Sequence, residues 1–195
     1  VLTNTFGGSP PRLARHGLDG RCAELNTAAA QLARAEADAA AHPVVVAGSI
    51  GPMGEFFVPM GTLTMEDAVA AFAVQAAALA AGGIDVFWIE TMSDLQEVEA
   101  AVTACRQVAP DIPVVTTMTF DTKGRTMMGV RPEQAAAAML AAQVAAGGAN
   151  CGNGPDEIEE VSAYALRVRE AGARIIGACC GSTPAHVAAI AGALQ

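Results

Sequence analysis

Short apolar, β-branched runs alternate along this chain with long Ala-rich stretches at helical spacing. The runs are Val1-Leu2-Thr3, Pro43 to Ala47, Ile84 to Ile89, Ile112 to Met118, Gly147 to Cys151 and Arg174 to Ala178. Being apolar throughout, they suit a sheet covered on both faces. Helices are predicted near 20–41, 64–82, 93–109, 131–146, 156–171 and 183–194. Thr64 precedes Glu66 and Asp67, a cap with acid in the first turn. Ser93 with Gln96 three residues on reads as a capping box. Pro132, Pro155 and Pro184 fit first helical turns, and Gly82-Gly83 and Gly172 fit helix ends.

A β-α alternation repeating every 30 to 40 residues or so implies a parallel sheet. A dinucleotide fold would need G-x-G-x-x-G after its first strand. In Gly48-Ser49-Ile50-Gly51-Pro52-Met53-Gly54 the glycines stand at other offsets, and Pro52 blocks a helix start. Asn4, Ser49, Glu90, Thr119, Cys151, Cys179 and Cys180 all follow strands. In a (β/α)8 barrel such positions share the face on which active sites are built.

Composition narrows the function. The chain of 195 residues is 52% hydrophobic and 16% charged, which excludes a disordered segment. The stretch Ala68 to Ala81 is short and broken by Gln75, so no membrane span is predicted. A net charge of -9 without a basic cluster argues against nucleic acid and anionic membrane surfaces. Five cysteines, an odd number in no secreted-scaffold spacing, fit a reducing, cytoplasmic setting. No charged start leads into an apolar core, so no signal peptide is expected. Cys22 and Cys105 lie in helical pattern and read as buried, inert thiols.

Cys151 ends one strand and Cys179-Cys180 ends the last, so the three become neighbours on one rim. Three thiolates with one open position describe a catalytic zinc site. A vicinal redox disulfide and two buried thiols are the alternatives. Three thiolates make zinc a poor generator of hydroxide, which favours activation of a sulfur substrate for S-alkylation. Lys123, the only lysine, lies in a loop, which weakens a Schiff-base aldolase. His16, His42 and His186 read as solvated or wrong-rim residues. Phe56 and Phe57, with Met53 and Met60, form an apolar loop that either covers the site, meets a partner such as a second copy, or simply packs.

Five segments carry a resemblance: Thr3-Asn4-Thr5-Phe6, Ala47 to Pro52, Ile89-Glu90-Thr91-Met92, Gly148 to Gly152 with Gly154-Pro155, and Gly177 to Pro184. In order along nearly the whole chain, they resemble the homocysteine S-methyltransferase family. The resemblance implies a (β/α)8 TIM barrel, zinc (Zn2+) held by Cys151, Cys179 and Cys180, and homocysteine as methyl acceptor. It implies that Glu90 holds the amino group of homocysteine, with a cap of the helix at Ser93 as the other reading. Asn4, Thr5, Ser49 and Asn150 are further substrate-binding candidates, each equally able to close its own turn. The family's donors include betaine, methyltetrahydrofolate by way of cobalamin, and S-methylmethionine. Asp121 to Gly129 looks closer to the betaine and cobalamin branches. A cobalamin route would need a separate cobalamin-binding protein.

The sequence departs from that pattern in two places. The family's Gly-rich opening strand would precede Val1, and a strand and long loop expected before the Cys-Cys strand are missing after Glu159-Glu160-Val161. The expectation is therefore one homocysteine-binding barrel domain over 1–195 with about six of eight β/α units, lacking the first and seventh strands, drawn from a longer chain. Two rivals remain: a non-catalytic metal-binding or redox thiol module, and a phosphate-handling barrel enzyme.

Overall fold

The computed structural model describes residues 1–120, 123–152, 165–177, 180 and 182–195. They form two compact units, Val1–Ala149 and Asn150–Gln195. Each is described by itself.

The first unit is a mixed α/β layer on a parallel sheet. In order it holds α1 (Pro10–Ala14), a 3-10 turn (Asp19–Arg21), α2 (Cys22–Ala39), β1 (Ala47–Ile50), α3 (Met65–Ala81), β2 (Val86–Met92), α4 (Leu95–Val108), β3 (Val114–Met118), α5 (Pro132–Ala141) and β4 (Ala146–Ala149). The strands lie side by side in chain order, all parallel, in the register Gly48↔Phe87, Trp88↔Val115 and Thr116↔Gly147. Helices connect successive strands, as the alternation predicts.

Strand alternation sorts the side chains. Ile50, Phe87, Ile89, Val114 and Met118 point into the main core, against Phe72 and Leu79 of α3 and Val98, Val102 and Cys105 of α4. Ala47, Val86 and Val115 face the other way, with Trp88 and Ala146 packed against them. This second face carries the polar residues at the strand ends.

Several predicted boundaries shift. The second run is strand only from Ala47, at its end, because 43–46 precede the ladder. Val1-Leu2-Thr3 joins the sheet only as a bridge, Leu2 to Ala47. The cap of α4 is Asp94, whose Oδ1 accepts from Gln96 N at 2.9 Å, one residue after the predicted Ser93. Residues 174–177 of the sixth predicted run are described and are not strand. The predicted helix at 156–171 is described only over 165–170, which are helical; Pro155 lies outside the described residues. The caps at Thr64, Pro132 and Pro184 stand as predicted. Gly83, just past α3, adopts φ 90, a left-handed turn that favours glycine.

In the second unit, the helix α6 (Pro184–Ala193) follows a turn in which Thr183 N donates to His186 Nδ1 at 3.0 Å. That contact gives His186 a capping role. Ala165 and Ile190 are buried together, with Ile176 and Leu194 against them.

The loop after β1 is latched by a carboxylate. Met53 N donates to Glu97 Oε1 at 2.7 Å, and Met53 and Glu97 are both buried. Phe57 is buried as well, whereas Phe56 and Met60 are exposed, so half of the predicted apolar loop is ordinary packing. Burial pushes the Glu97 carboxyl up from 4.5 to about 7, against the pull of the Met53 amide. Cys105 is pushed up to about 12 and Cys22 is raised, both by burial, as expected of inert thiols.

Two measurements test these contacts. Asp67 N donates to Thr64 Oγ1 at 3.1 Å, so Thr64→Ala should destabilise the unit by about 1 kcal/mol in denaturant unfolding. The unfolded chain releases the Glu97 proton near 4.5 and the folded chain near 7. The folded state therefore binds more protons in between, and stability should fall as pH rises through that window, by roughly 3 kcal/mol at most. Glu97→Gln, which keeps an acceptor for Met53, should flatten that slope; an unchanged pH profile would refute the assignment.

Candidate functional site

At the C-terminal ends of β1 and β2, Ser49 and Glu90 lie on the face opposite the main core, in phase with Ala47 on one strand and Val86 and Trp88 on the other. Ser49 Oγ donates to Glu90 Oε1 at 2.6 Å. Glu90 is half-buried and Ser49 buried. Since Asp94 caps α4, Glu90 is not the cap and its carboxylate is held on the sheet's open face.

Threonines from the first run set Ser49 in place. The ladder from this run starts normally, with Thr3 N donating to Ala47 O at 2.9 Å. One residue pair further on, side chains take over. Ser49 N donates to Thr3 Oγ1 at 3.0 Å, and Thr5 Oγ1 donates to Ser49 O at 2.7 Å. The two hydroxyls also meet each other at 2.6 Å. The backbone after Thr3 is thereby released to turn away without leaving the Ser49 peptide groups unpaired.

Beyond Glu90 the β2–β3 register slips. Ile89 pairs with Thr116 and Met92 with Met118, so β2 holds one extra residue, a bulge. Thr91 takes it up at φ 62, with its N donating to Thr117 Oγ1 at 3.4 Å. A β-branched residue is strained there, and such strain collects at sites where a side chain must be aimed.

Exposed Asn4 and buried Thr5 line an open cleft of ≈ 510 Å³ with Phe6, Gly8, Leu13, Leu25 and Asn26. A smaller cavity of ≈ 200 Å³ lies between Phe56, Asp94, Glu97, Met127 and Met128.

In the second unit, Asn150 and Cys151 directly follow β4. Cys151 has φ 58 and Gly152 φ 81, a tight left-handed turn. Cys151 Sγ lies 3.7 Å from Cys180 Sγ, and both residues are exposed. Asn150 Nδ2 donates to Cys151 Sγ at 3.5 Å. Two thiolates, each about 2.3 Å from one tetrahedral zinc, would stand about 3.8 Å apart. The pair therefore fits two corners of such a site, and is too far apart for a disulfide, whose sulfurs lie about 2.05 Å apart. Cys179 lies outside the described residues, and among those described no group of three metal-binding side chains assembles. No described helix is long and apolar enough to cross a membrane.

Of the sequence candidates, then, the structure joins Thr5, Ser49 and Glu90 in one unit and Asn150, Cys151 and Cys180 in the other. Asn4 is on the cleft wall. The sequence reading missed Thr3, Asn26, Gln75 and the Thr91–Thr117 bulge. Gln75 did leave a signal: it occupies the buried stripe Ala68, Phe72, Gln75, Ala76, Leu79, where an amide is out of place.

Comparison with known proteins bears on this arrangement. The chain is 27% identical to the methionine synthases of Mycobacterium leprae (strain TN) and Mycobacterium tuberculosis (strain ATCC 25618 / H37Rv), over 239 aligned residues that take in 100% of it and 20% of each relative. It spans about a fifth of the length of these relatives. Its fold matches that of the homocysteine methyltransferase MmuM from Escherichia coli. The oxidized form superposes with a TM-score of 0.80 at 24% identity, covering 98% of this chain and 78% of that one. The metallated form gives 0.77 at 24% identity, covering 97% and 77%. The family profile described as homocysteine S-methyltransferase matches residues 1–169 and 158–194, and with nearly every residue thus accounted for, the chain belongs to the homocysteine S-methyltransferase family.

Proposed function

We propose that this chain is the methyl-accepting part of a zinc-dependent homocysteine S-methyltransferase that makes methionine. The carrying observation is the 3.7 Å approach of Cys151 and Cys180 beside Asn150, in a chain of this family. On this reading the four parallel strands are wall strands of one (β/α)8 barrel domain over 1–195. The alignment of 239 positions on a 195-residue chain supports internal segments in the relatives that this chain lacks.

Cys151, Cys179 and Cys180 would hold the zinc. When bound, it supplies the Lewis acidity that lowers the pKa of an incoming thiol at neutral pH. The chain's own residues bind and orient. Glu90, fixed by Ser49, accepts hydrogen bonds from the substrate's ammonium group, and Thr5 and Thr3 hold Ser49 so that the carboxylate does not drift. Asn4 and Asn150 add polar contacts on the rim. Ala47, Val86, Trp88 and Val115 give an apolar floor beside Ser49 and Glu90, on the same face. Methyl transfer to sulfur moves no proton at the transferred carbon, so alignment of acceptor and donor, rather than a general base, lowers the barrier.

For the donor, the similarity of this whole chain to a fifth of the length of the methionine synthases favours a methyl group carried on cobalamin, held outside these residues by a partner or another domain; betaine is the other donor within reach of the family reading. The reducing setting expected of the free cysteines fits a cytoplasmic enzyme.

The deciding assay supplies zinc-loaded protein with homocysteine and each donor in turn, and measures methionine. Product from none of them sinks the proposal. Metal analysis should find about one zinc per chain, lost in both Cys151→Ser and Cys180→Ser; zinc retained in either would remove that cysteine from the ligand set, and a Cys151–Cys180 disulfide without metal would favour a redox thiol module. Glu90→Gln keeps an acceptor for Ser49 but loses the charge. It should raise the KM for homocysteine roughly 10- to 100-fold with a smaller change in kcat.

A further inference from the structure

We propose that Gln75, on the helix side of the sheet, is a positioning residue for Glu90, acting through Thr5 and Ser49. This rests on the reading above that Glu90 holds the amino group of homocysteine.

Gln75 is fully buried on α3. Its Nε2 donates to Thr5 O at 2.8 Å and to Asn26 Oδ1 at 3.2 Å, with Ser49 O at 3.5 Å. Two of these three neighbours are backbone carbonyls, which can only accept, so the amide must present its nitrogen to them. The consequence is that Gln75 Oε1 is buried without a hydrogen-bond partner. An orphaned buried carbonyl is costly. In a stripe otherwise made of Ala, Phe and Leu, an apolar residue would avoid that cost. The side chain that stands there is one whose two N–H hydrogens tie down the chain next to Ser49.

What those hydrogens hold is the start of the path to the carboxylate. Thr5 O also accepts from Gly8 N at 2.9 Å, closing the turn that walls the cleft. Asn26 grips the other end of that turn, donating from Nδ2 to Gly8 O at 2.8 Å. Packing fixes it further. A Cβ on Gly8 would stand 2.4 Å from Asn26 Oδ1 and 2.9 Å from both Gln75 Nε2 and Thr5 O. With its carbonyl fixed, Thr5 directs its hydroxyl to Ser49 O at 2.7 Å, and Ser49 Oγ reaches Glu90 Oε1 at 2.6 Å. Every link from Gln75 to Glu90 is thus a hydrogen bond with donor and acceptor assigned, and all but the last are buried. A shift of the Thr5 carbonyl moves Ser49, and a shift of Ser49 moves the carboxylate.

Gln75→Met tests this on the full chain, because it keeps length and volume and removes both donors. The KM for homocysteine should rise about fivefold to tenfold with kcat within about twofold, since alignment of the amino group and not the reacting sulfur is disturbed. The double variant with Ser49→Ala should bind homocysteine no worse than Ser49→Ala alone, because the relay is already cut at Ser49. An unchanged KM, or additive effects in the double variant, overturns the proposal. Amide exchange gives a readout that needs no turnover. Gln75→Met should speed exchange at Ser49 and Gly8 and leave Trp88 and Thr116, within the β2–β3 ladder, unchanged. No methionine from the unsubstituted chain defeats the functional reading, and exchange then decides the link: unchanged rates at Ser49 overturn it, whereas faster rates at Ser49 and Gly8 with Trp88 and Thr116 unchanged support it.

Discussion

The structure turns on how a parallel ladder is allowed to end. Within a sheet, each peptide group is paired by its neighbour, but at the C-terminal rim the strands must part to leave room for chemistry, and the last buried N–H and C=O groups lose their partners. At Ser49 both are taken over by hydroxyls, Thr3 Oγ1 accepting and Thr5 Oγ1 donating. That exchange lets residues 4–8 leave the sheet and wall a cleft, while Ser49 stays fixed well enough to hold Glu90. The bulge at Thr91 does the corresponding job on the next strand: the ladder is interrupted where the side chain of Glu90 is presented, and resumes at Met92.

Much of this was legible in the sequence, for a physical reason. The order of strands and helices follows from hydrophobic periodicity, which is a property of the core face, and the core face is what the helices α2 to α5 cover. Caps were legible where the side chain chemistry is unambiguous, as at Thr64, and slipped by one residue where Ser93 and Asp94 both qualify. The candidate site was legible only where unusual residues collect, at Glu90 and the cysteines. Thr3 was not, because a threonine in a β-branched run looks ordinary, and the out-of-place amide of Gln75 marked a break in an apolar stripe without showing what it holds until the ladder is seen to end beside it. Cys179 lies outside the described residues, so the third sulfur rests on sequence alone.

Three glutamates stand close together in sequence, Glu90 near the end of β2 and Glu97 and Glu99 in α4, and the structure separates their roles by environment. Glu99 is exposed. Glu97 is 4% exposed and already accepts from the Met53 amide, and burial raises its carboxyl to about 7. A carboxyl so placed cannot receive a substrate ammonium without first releasing the loop after β1, so its job is to latch that loop. Glu90 differs in both respects: it lies half-buried on the open face, and its partner is a hydroxyl that fills one oxygen and leaves room for other donors at the carboxylate. The sulfur atoms face a different constraint. Cys151 Sγ and Cys180 Sγ stand 3.7 Å apart, beyond disulfide length and near the spacing of two thiolates on one tetrahedral zinc. The carboxylate is therefore set by rigid hydrogen bonding from the sheet, whereas the cysteines are set by a turn at Cys151 and Gly152 whose left-handed backbone brings sulfur toward sulfur.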